Sequence, residues 1–268
     1  MIILGFTSIA SVWEIALLTG VSFVVGVLGG FVGLALGTMR LPVLLLLGFP
    51  ASVSAGTNIL VSTLSAAVGS VGHIKGGRVD WRVVWIMGMP AVIGAFIGGF
   101  ASDLLPYSLL LGLAGVFVLW QGIEFLLRGR DAELSGRPPA ERFTTTRVAA
   151  EGGIGFSVGL LGGAVGLILG SIRLPAIIRV LGIHPRVAAG TNLFIGFLLG
   201  TSGFLGHGIS GDVDVPLMVF MGSAAMVGSF YGARLTGRVR LSALIVVMGL
   251  VLVGVGVLLI ANAAFRAA

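Results

Sequence analysis

Apolar runs separated by short polar breaks cover almost the whole chain. An α-helix needs about 20 apolar residues to cross the hydrocarbon core of a bilayer, and many of these runs approach that length. In the first half they lie at roughly 13–36, 41–49, 51–73, 82–102 and 106–128. In the second half they lie at roughly 150–169, 174–183, 186–206, 215–235 and 241–262. The pattern predicts an all-α integral membrane protein with three to five membrane segments in each half.

The two halves are copies of one another. The seventeen residues from Gly26 to Pro42 recur as Gly159 to Pro175, and twelve of these positions are identical. An Ala-Gly-Thr-Asn block follows in each copy, at 55–58 and at 189–192. Because chance does not align such residues over a hundred positions, the chain is a duplication. We predict repeats over 1–128 and 148–268, joined by the polar linker 129–147.

Basic residues predict how the halves are oriented. Arginines in and beside the linker 129–147 favour a cytoplasmic location, as do Lys75 and Arg78 in the loop 74–81. The counterpart loop 208–214 has no basic residue. Equivalent loops that exchange charge predict inverted repeats, which need an odd number of crossings in each half. Three spans with a re-entrant hairpin, or five spans with one of them short, give an odd number of crossings. We expect a multi-pass protein of a prokaryotic inner membrane.

The glycine-rich segment 26–42 predicts an interrupted helix. Glycines at three- and four-residue spacing let helices approach backbone to backbone. Pro42 favours the first turn of a new helix, since its missing N–H is not needed there. We therefore expect one helix to end near Gly37 and another to begin at Pro42, which leaves Thr38, Met39 and Arg40 as unwound backbone beside a positive helix end.

Each repeat carries an arginine in this interruption, Arg40 in the first and Arg173 in the second. An arginine at the centre of a membrane helix costs about 2.5–3.5 kcal/mol on the insertion scale, and no acidic residue lies nearby in sequence. A bound anion is the direct compensation, because guanidinium and free N–H groups favour the same charge. The alternative is an arginine that extends to a lipid headgroup or caps backbone carbonyls.

Other polar residues recur close to these arginines. They are Thr38, Thr57 and Asn58, with their counterparts Ser171, Thr191 and Asn192. Their hydroxyl and amide groups are candidates for completing an anion site. For the threonines and asparagines, hydrogen bonds between helices are the alternative.

Two histidines and two aspartates also recur. His73 and His207 lie at predicted helix ends, where proton coupling is one interpretation and a histidine stabilised by the helix C-terminus is the other. Asp80 and Asp214 are predicted to cap the helices that follow them.

Composition excludes several functional classes. Only 10% of the 268 residues are charged, and the mean hydropathy is +1.13, which does not suit a soluble domain. There is no cysteine, no recognisable catalytic set, no nucleotide-binding loop and no metal-ligand motif, so we expect neither an enzyme nor a cofactor or metal. The net charge of +6 lies mostly in short loops, which favours lipid headgroups over nucleic acid as partners.

The two glycine-rich segments, each followed by a proline, a leucine-rich piece and an Ala-Gly-Thr block, resemble the TauE/SafE family of sulfite-exporter-like membrane proteins. The likeness covers nearly the whole chain. It implies secondary transport of sulfite, sulfonates or related organosulfur anions. Arg40 and Arg173 stand where the family pattern is usually apolar, which strengthens the expectation of an anion.

We therefore expect a secondary transporter of small anions that works by alternating access around a midplane site, one half rocking against the other. A passive anion channel and a membrane scaffold or sensor that transports nothing are the alternatives. A homodimer is also left open.

Overall fold

The computed structural model describes residues 2–3, 6–32, 34, 36–128, 145–210, 213–235 and 242–267. Most of the predicted linker, 129–144, lies outside the described residues, and its last three residues belong to a helix that begins at Thr145. Ahead of the first helix, the two-residue strands Ile2–Ile3 and Phe6–Thr7 pair antiparallel.

Each repeat forms five helices in the same order. In the first they are α1 Val12–Val32, α2 Gly37–Leu46, α3 Ala51–Lys75, α4 Trp81–Phe100 and α5 Tyr107–Arg128, and α4 contains a π-helical turn at Val84–Gly88. In the second they are α6 Thr145–Val165, α7 Gly170–Pro175, α8 Pro185–Ser210, α9 Val215–Leu235 and α10 Ser242–Ala267, and α7 continues into a π-helical turn at Ala176–Val180.

The all-α membrane architecture is confirmed. Among the described residues, seven helices are long and apolar enough to cross a membrane, namely α1, α3, α4, α5, α6, α8 and α9. Helix α10 adds a shorter apolar stretch, Gly249–Phe265. Each repeat thus has four long helices and one short helix. The short α2 covers about 15 Å, about half of the hydrocarbon core.

The two interruptions lie about five residues earlier than predicted. Helix α1 ends at Val32 and α2 already begins at Gly37, so Thr38, Met39 and Arg40 form the first turn of α2. Pro42 lies inside α2. The prediction of unwound backbone at Thr38–Arg40 was therefore wrong.

The helix-ending glycine explains this difference. Gly166 follows the last residue of α6 with a φ of +74°, a conformation that only glycine adopts without strain. Its N–H donates to the Gly163 carbonyl (3.1 Å), and the Leu167 N–H donates to Gly162 (2.7 Å), which together form a Schellman cap. In the first repeat the Leu34 N–H makes the equivalent bond to Gly29 (3.1 Å).

The repeats are interleaved through tight glycine contacts. Helix α1 packs against α9, and its counterpart α6 packs against α4. A methyl group at Gly26 or Gly30 would collide with the main chain of Ala225 or Ser229, and Gly163 meets Ala95 in the same way. The first helix of each repeat is thus joined to the fourth helix of the other repeat. We call these contacts the α1–α9 and α4–α6 seams.

Equivalent helices run antiparallel. Ile59 and Thr63 of α3 contact Gly203 and Gly200 of α8, so one chain rises where the other falls. Helices α5 and α10 pack in the same antiparallel manner, mainly against each other. Antiparallel packing of these two equivalent pairs is the arrangement that inverted repeats require.

This geometry leads to an expected result for topology. Ile74→Cys and Gly208→Cys occupy equivalent exposed positions, and the natural chain has no cysteine. In inverted repeats the two thiols face opposite sides. We expect a membrane-impermeant maleimide to label Ile74→Cys only from the cytoplasmic side and Gly208→Cys only from the outside. Labelling of both from one side would contradict inversion.

Candidate functional site

The candidate site begins where α2 and α7 start, one beside each interruption. Gly37 and Gly170 are the first residues of these helices. A Cβ at Gly37 would lie 2.9 Å from the amide nitrogen of Asn58, and one at Gly170 would lie 2.8 Å from that of Asn192. Glycine is therefore needed to let each asparagine approach the helix N-terminus.

Both arginines of the interruptions are buried. Arg40 is 1% exposed and Arg173 is 0% exposed. Arg40 Nη2 donates to the Ser62 hydroxyl at 2.8 Å, and its Nε points to Asn58 Oδ1 at 3.5 Å, the outer limit of a hydrogen bond. The arginines therefore do not extend to lipid headgroups in this arrangement, and each lies beside the asparagine of the following helix.

The second arginine is less well satisfied than the first. Arg173 Nε donates to Asn192 Oδ1 at 3.2 Å, and its Nη2 lies 3.5 Å from the Asn192 carbonyl. Its Nη1 has no hydrogen-bond partner. The counterpart of Ser62 in this repeat is Gly196, which offers no hydroxyl. The duplication thus preserved the Arg–Asn pair but not the second acceptor.

Neither guanidinium has a counter-charge among the described residues. Their partners are amide, hydroxyl and carbonyl oxygens, and no described carboxylate lies within ion-pair distance of either. A buried cation without an anion is costly, and proteins normally pair it. The site therefore has an excess of positive charge inside the helix bundle.

Asn58 links the two repeats. Its Oδ1 faces Arg40, while its Nδ2 donates to the carbonyl of Gly166 at 2.9 Å. That carbonyl belongs to Gly166, the residue that follows the end of α6. The Asn58 side chain therefore connects the arginine of the first interruption to the backbone of the second interruption. The two interruptions therefore lie close to each other in the helix bundle.

The threonines of the candidate set make bonds between helices. Thr57 Oγ1 accepts from the Asp214 N–H at 3.2 Å, and Thr191 Oγ1 accepts from the Asp80 N–H at 2.8 Å. The structure therefore places both hydroxyls in the alternative role of interhelical bonding. The predicted caps are confirmed: Asp80 Oδ1 accepts from Arg82 and Val83, and Asp214 Oδ1 accepts from Leu217.

The two remaining hydroxyl-bearing residues of the set, Thr38 and Ser171, are the second residues of α2 and α7. Thr38 is 2% exposed and its Oγ1 has no hydrogen-bond partner. Ser171 is buried at the equivalent position. Both lie two residues before an arginine, at the positive end of a helix.

The histidines have different surroundings. His207 is fully buried, with Nε2 at 2.8 Å from the Gly163 carbonyl and Nδ1 at 3.1 Å from the Ser102 hydroxyl. His73 is half-buried in the last turn of α3, and its Nδ1 has no partner. Neither ring contacts an arginine of the interruptions, so proton coupling through them stays a prediction.

A small cavity lies beside Arg40, and two of its polar residues were not predicted. It has room for about one water molecule. Its lining includes Arg40, Ser65 and Ser229 with the glycines of α1. A sequence signal for Ser65 exists, since Asn58, Ser62 and Ser65 follow one face of α3 at helical spacing. A polyatomic oxyanion requires this cavity to widen.

The chain matches one known protein family over most of its length. The sequence profile of the family described as "Sulfite exporter TauE/SafE" matches residues 18–259. The chain belongs to that family. The match includes both interruptions, and the predicted family resemblance is confirmed.

Related proteins carry the same kind of description. The "Probable membrane transporter protein YunE" of Bacillus subtilis (strain 168) is 25% identical over 93% of this chain and 98% of its own length. The "Probable membrane transporter protein YtnM" of the same organism is 31% identical over 66% of this chain and 59% of its own length. No solved structure matches this chain. This TauE/SafE member is a multi-pass membrane protein.

The contacts of Asn58 lead to a stability prediction. Asn58→Ala removes an acceptor from Arg40 and a donor from the Gly166 carbonyl. Each buried group left without a partner costs about 1–3 kcal/mol. We expect a clearly lower melting temperature of the purified protein in detergent. Thr201→Ala is the control, because that exposed hydroxyl bonds only the Phe197 carbonyl of its own helix. Equal melting temperatures would contradict the linking role of Asn58.

Proposed function

We propose that this TauE/SafE member is a secondary transporter of a small oxyanion of the sulfite or sulfonate class in the inner membrane. One observation carries the proposal. Two equivalent arginines lie buried in the bundle, each at the start of the helix that follows an interruption, and no carboxylate among the described residues is a partner of either. An anion compensates both charges, and it also receives the N–H groups of the two helix ends. The name of the matched family supports sulfite as the first substrate to test.

The arrangement of the repeats supports alternating access. Antiparallel packing of equivalent helices is typical of inverted-repeat transporters, whose substrate sites lie at the interface of the repeats. Asn58 and Gly166 bring both interruptions to that interface. Such a site becomes accessible from each side in turn when one group of helices moves against another.

The helix packing supports an assignment of the helices that move during the proposed transport. Rocking of one sequence half against the other would break both glycine seams, where main chains are in direct contact. Helices α5 and α10 pack mainly against each other, and their fewer contacts with the remaining bundle are made with α2 and, through α5, with α3, α6 and α7. We therefore assign the movement to the α5–α10 pair, with the short helices α2 and α7 between it and the rest.

The test is uptake into liposomes by the purified full chain. We expect saturable sulfite uptake with counter-flow, and at least a tenfold loss in Arg40→Ala and Arg173→Ala, since a hydrogen bond to a charged group contributes about 1.5–3 kcal/mol. Arg78→Ala is the matched control, because this exposed arginine lies in the loop after α3 and makes its side-chain hydrogen bond to the Gly72 carbonyl at 3.4 Å.

The outcomes separate the alternative functions. Flux without saturation or counter-flow would indicate a channel. Absence of flux for sulfite, sulfate, thiosulfate and an alkanesulfonate would favour a scaffold or sensor. Wild-type uptake by both Arg40→Ala and Arg173→Ala would remove the arginines from the mechanism.

A further inference from the structure

Buried hydroxyl groups without a hydrogen-bond partner lie in the first repeat among the described residues. They belong to Ser22, Thr38, Ser54 and Ser65. A buried polar group that lacks a partner costs about 1–3 kcal/mol, and such groups usually have one. Three of the four have an apolar counterpart in the second repeat, namely Gly155, Ala188 and Leu199. The polar surroundings of the two arginines are therefore unequal.

The inequality is sharpest at the cavity beside Arg40. Ser65 lines this cavity with a hydroxyl that has no partner, and Ser229 lines it with a hydroxyl that donates to the Ser65 carbonyl at 3.3 Å. The counterparts of these two serines are Leu199 and Ala95, both fully buried. The same position beside Arg173 therefore lacks hydroxyl groups.

Charge and shape at the cavity suit an oxyanion. Arg40 is a buried cation, and serine hydroxyls donate hydrogen bonds to anionic oxygens. Glycines 26, 29 and 30 of α1 also line the cavity, so that part of its wall is main chain without side chains. A neutral or cationic ligand would leave the guanidinium uncompensated.

We propose that the substrate pocket is built unevenly, with Ser65 and Ser229 as oxyanion-binding residues beside Arg40. This inference rests on the proposed transport of an oxyanion. It adds two substrate contacts, Ser65 and Ser229, to which the family resemblance did not point. The cavity must widen to admit the anion, and the two hydroxyls then bind its oxygens. The second repeat provides charge through Arg173 without equivalent hydroxyls.

The test uses sulfite as the probe and the purified full chain in liposomes. We expect the sulfite concentration for half-maximal uptake to rise about tenfold in Ser65→Ala and in Ser229→Ala, because each loses one bond to a charged ligand. Ser202→Ala is the matched control. It is also a serine-to-alanine change in a buried helix, but its hydroxyl bonds the Val92 carbonyl at 2.8 Å and does not line the cavity.

Each outcome has a distinct meaning. Wild-type values for both Ser65→Ala and Ser229→Ala, with a loss in Arg40→Ala, would overturn the uneven pocket and leave the proposed function intact. An equal loss in all three serine variants would also overturn it, since the effect would not be local to the cavity. A wild-type protein that takes up none of sulfite, sulfate, thiosulfate and an alkanesulfonate would overturn the proposed function itself, and this inference with it. If one cavity variant does not fold, the other provides the measurement.

Discussion

Two positive charges buried in an apolar helix bundle are the constraint on which the rest of this structure depends. Arg40 and Arg173 are almost completely shielded, and no described carboxylate pairs with either. The fold meets the cost in part by placing an asparagine beside each guanidinium and a glycine where the asparagine must approach. The remaining positive charge is not compensated by the protein. This residual charge is the physical reason for assigning an anion to the site.

Duplication made this arrangement possible and also limits how it moves. Each repeat supplies one interrupted helix, and the antiparallel packing of equivalent helices brings the two interruptions together. The same glycine contacts join α1 to α9 and α4 to α6, so the sequence halves are not separate bodies. The proposed alternating access would therefore follow the weaker contacts around the α5–α10 pair rather than the boundary between repeats.

The two repeats differ in the hydroxyl groups around their arginines. The Arg–Asn pairs and the helix-capping aspartates are retained in both copies. Ser62, Ser65 and Ser229 correspond to Gly196, Leu199 and Ala95, which carry no hydroxyl. In the proposed function, this unequal lining would provide one oriented pocket for a single small ligand, whereas two identical pockets would compete for it.

The sequence by itself determined the membrane class, the duplication, the number of helices and the two arginines, because apolar length and repeated residues depend only on local composition. The predicted span of helix α9, 215–235, coincides with the observed helix. The roles of Gly37 and Gly170 were decided by tertiary structure, since both are required for contact with Asn58 and Asn192 rather than for ending a helix. The roles of Thr57, Ser65 and Ser229 were likewise decided there. Their partners lie on other helices, in the case of Thr57 and Asp214 more than 150 residues away, and hydrogen-bond satisfaction inside a bundle depends on those distant neighbours.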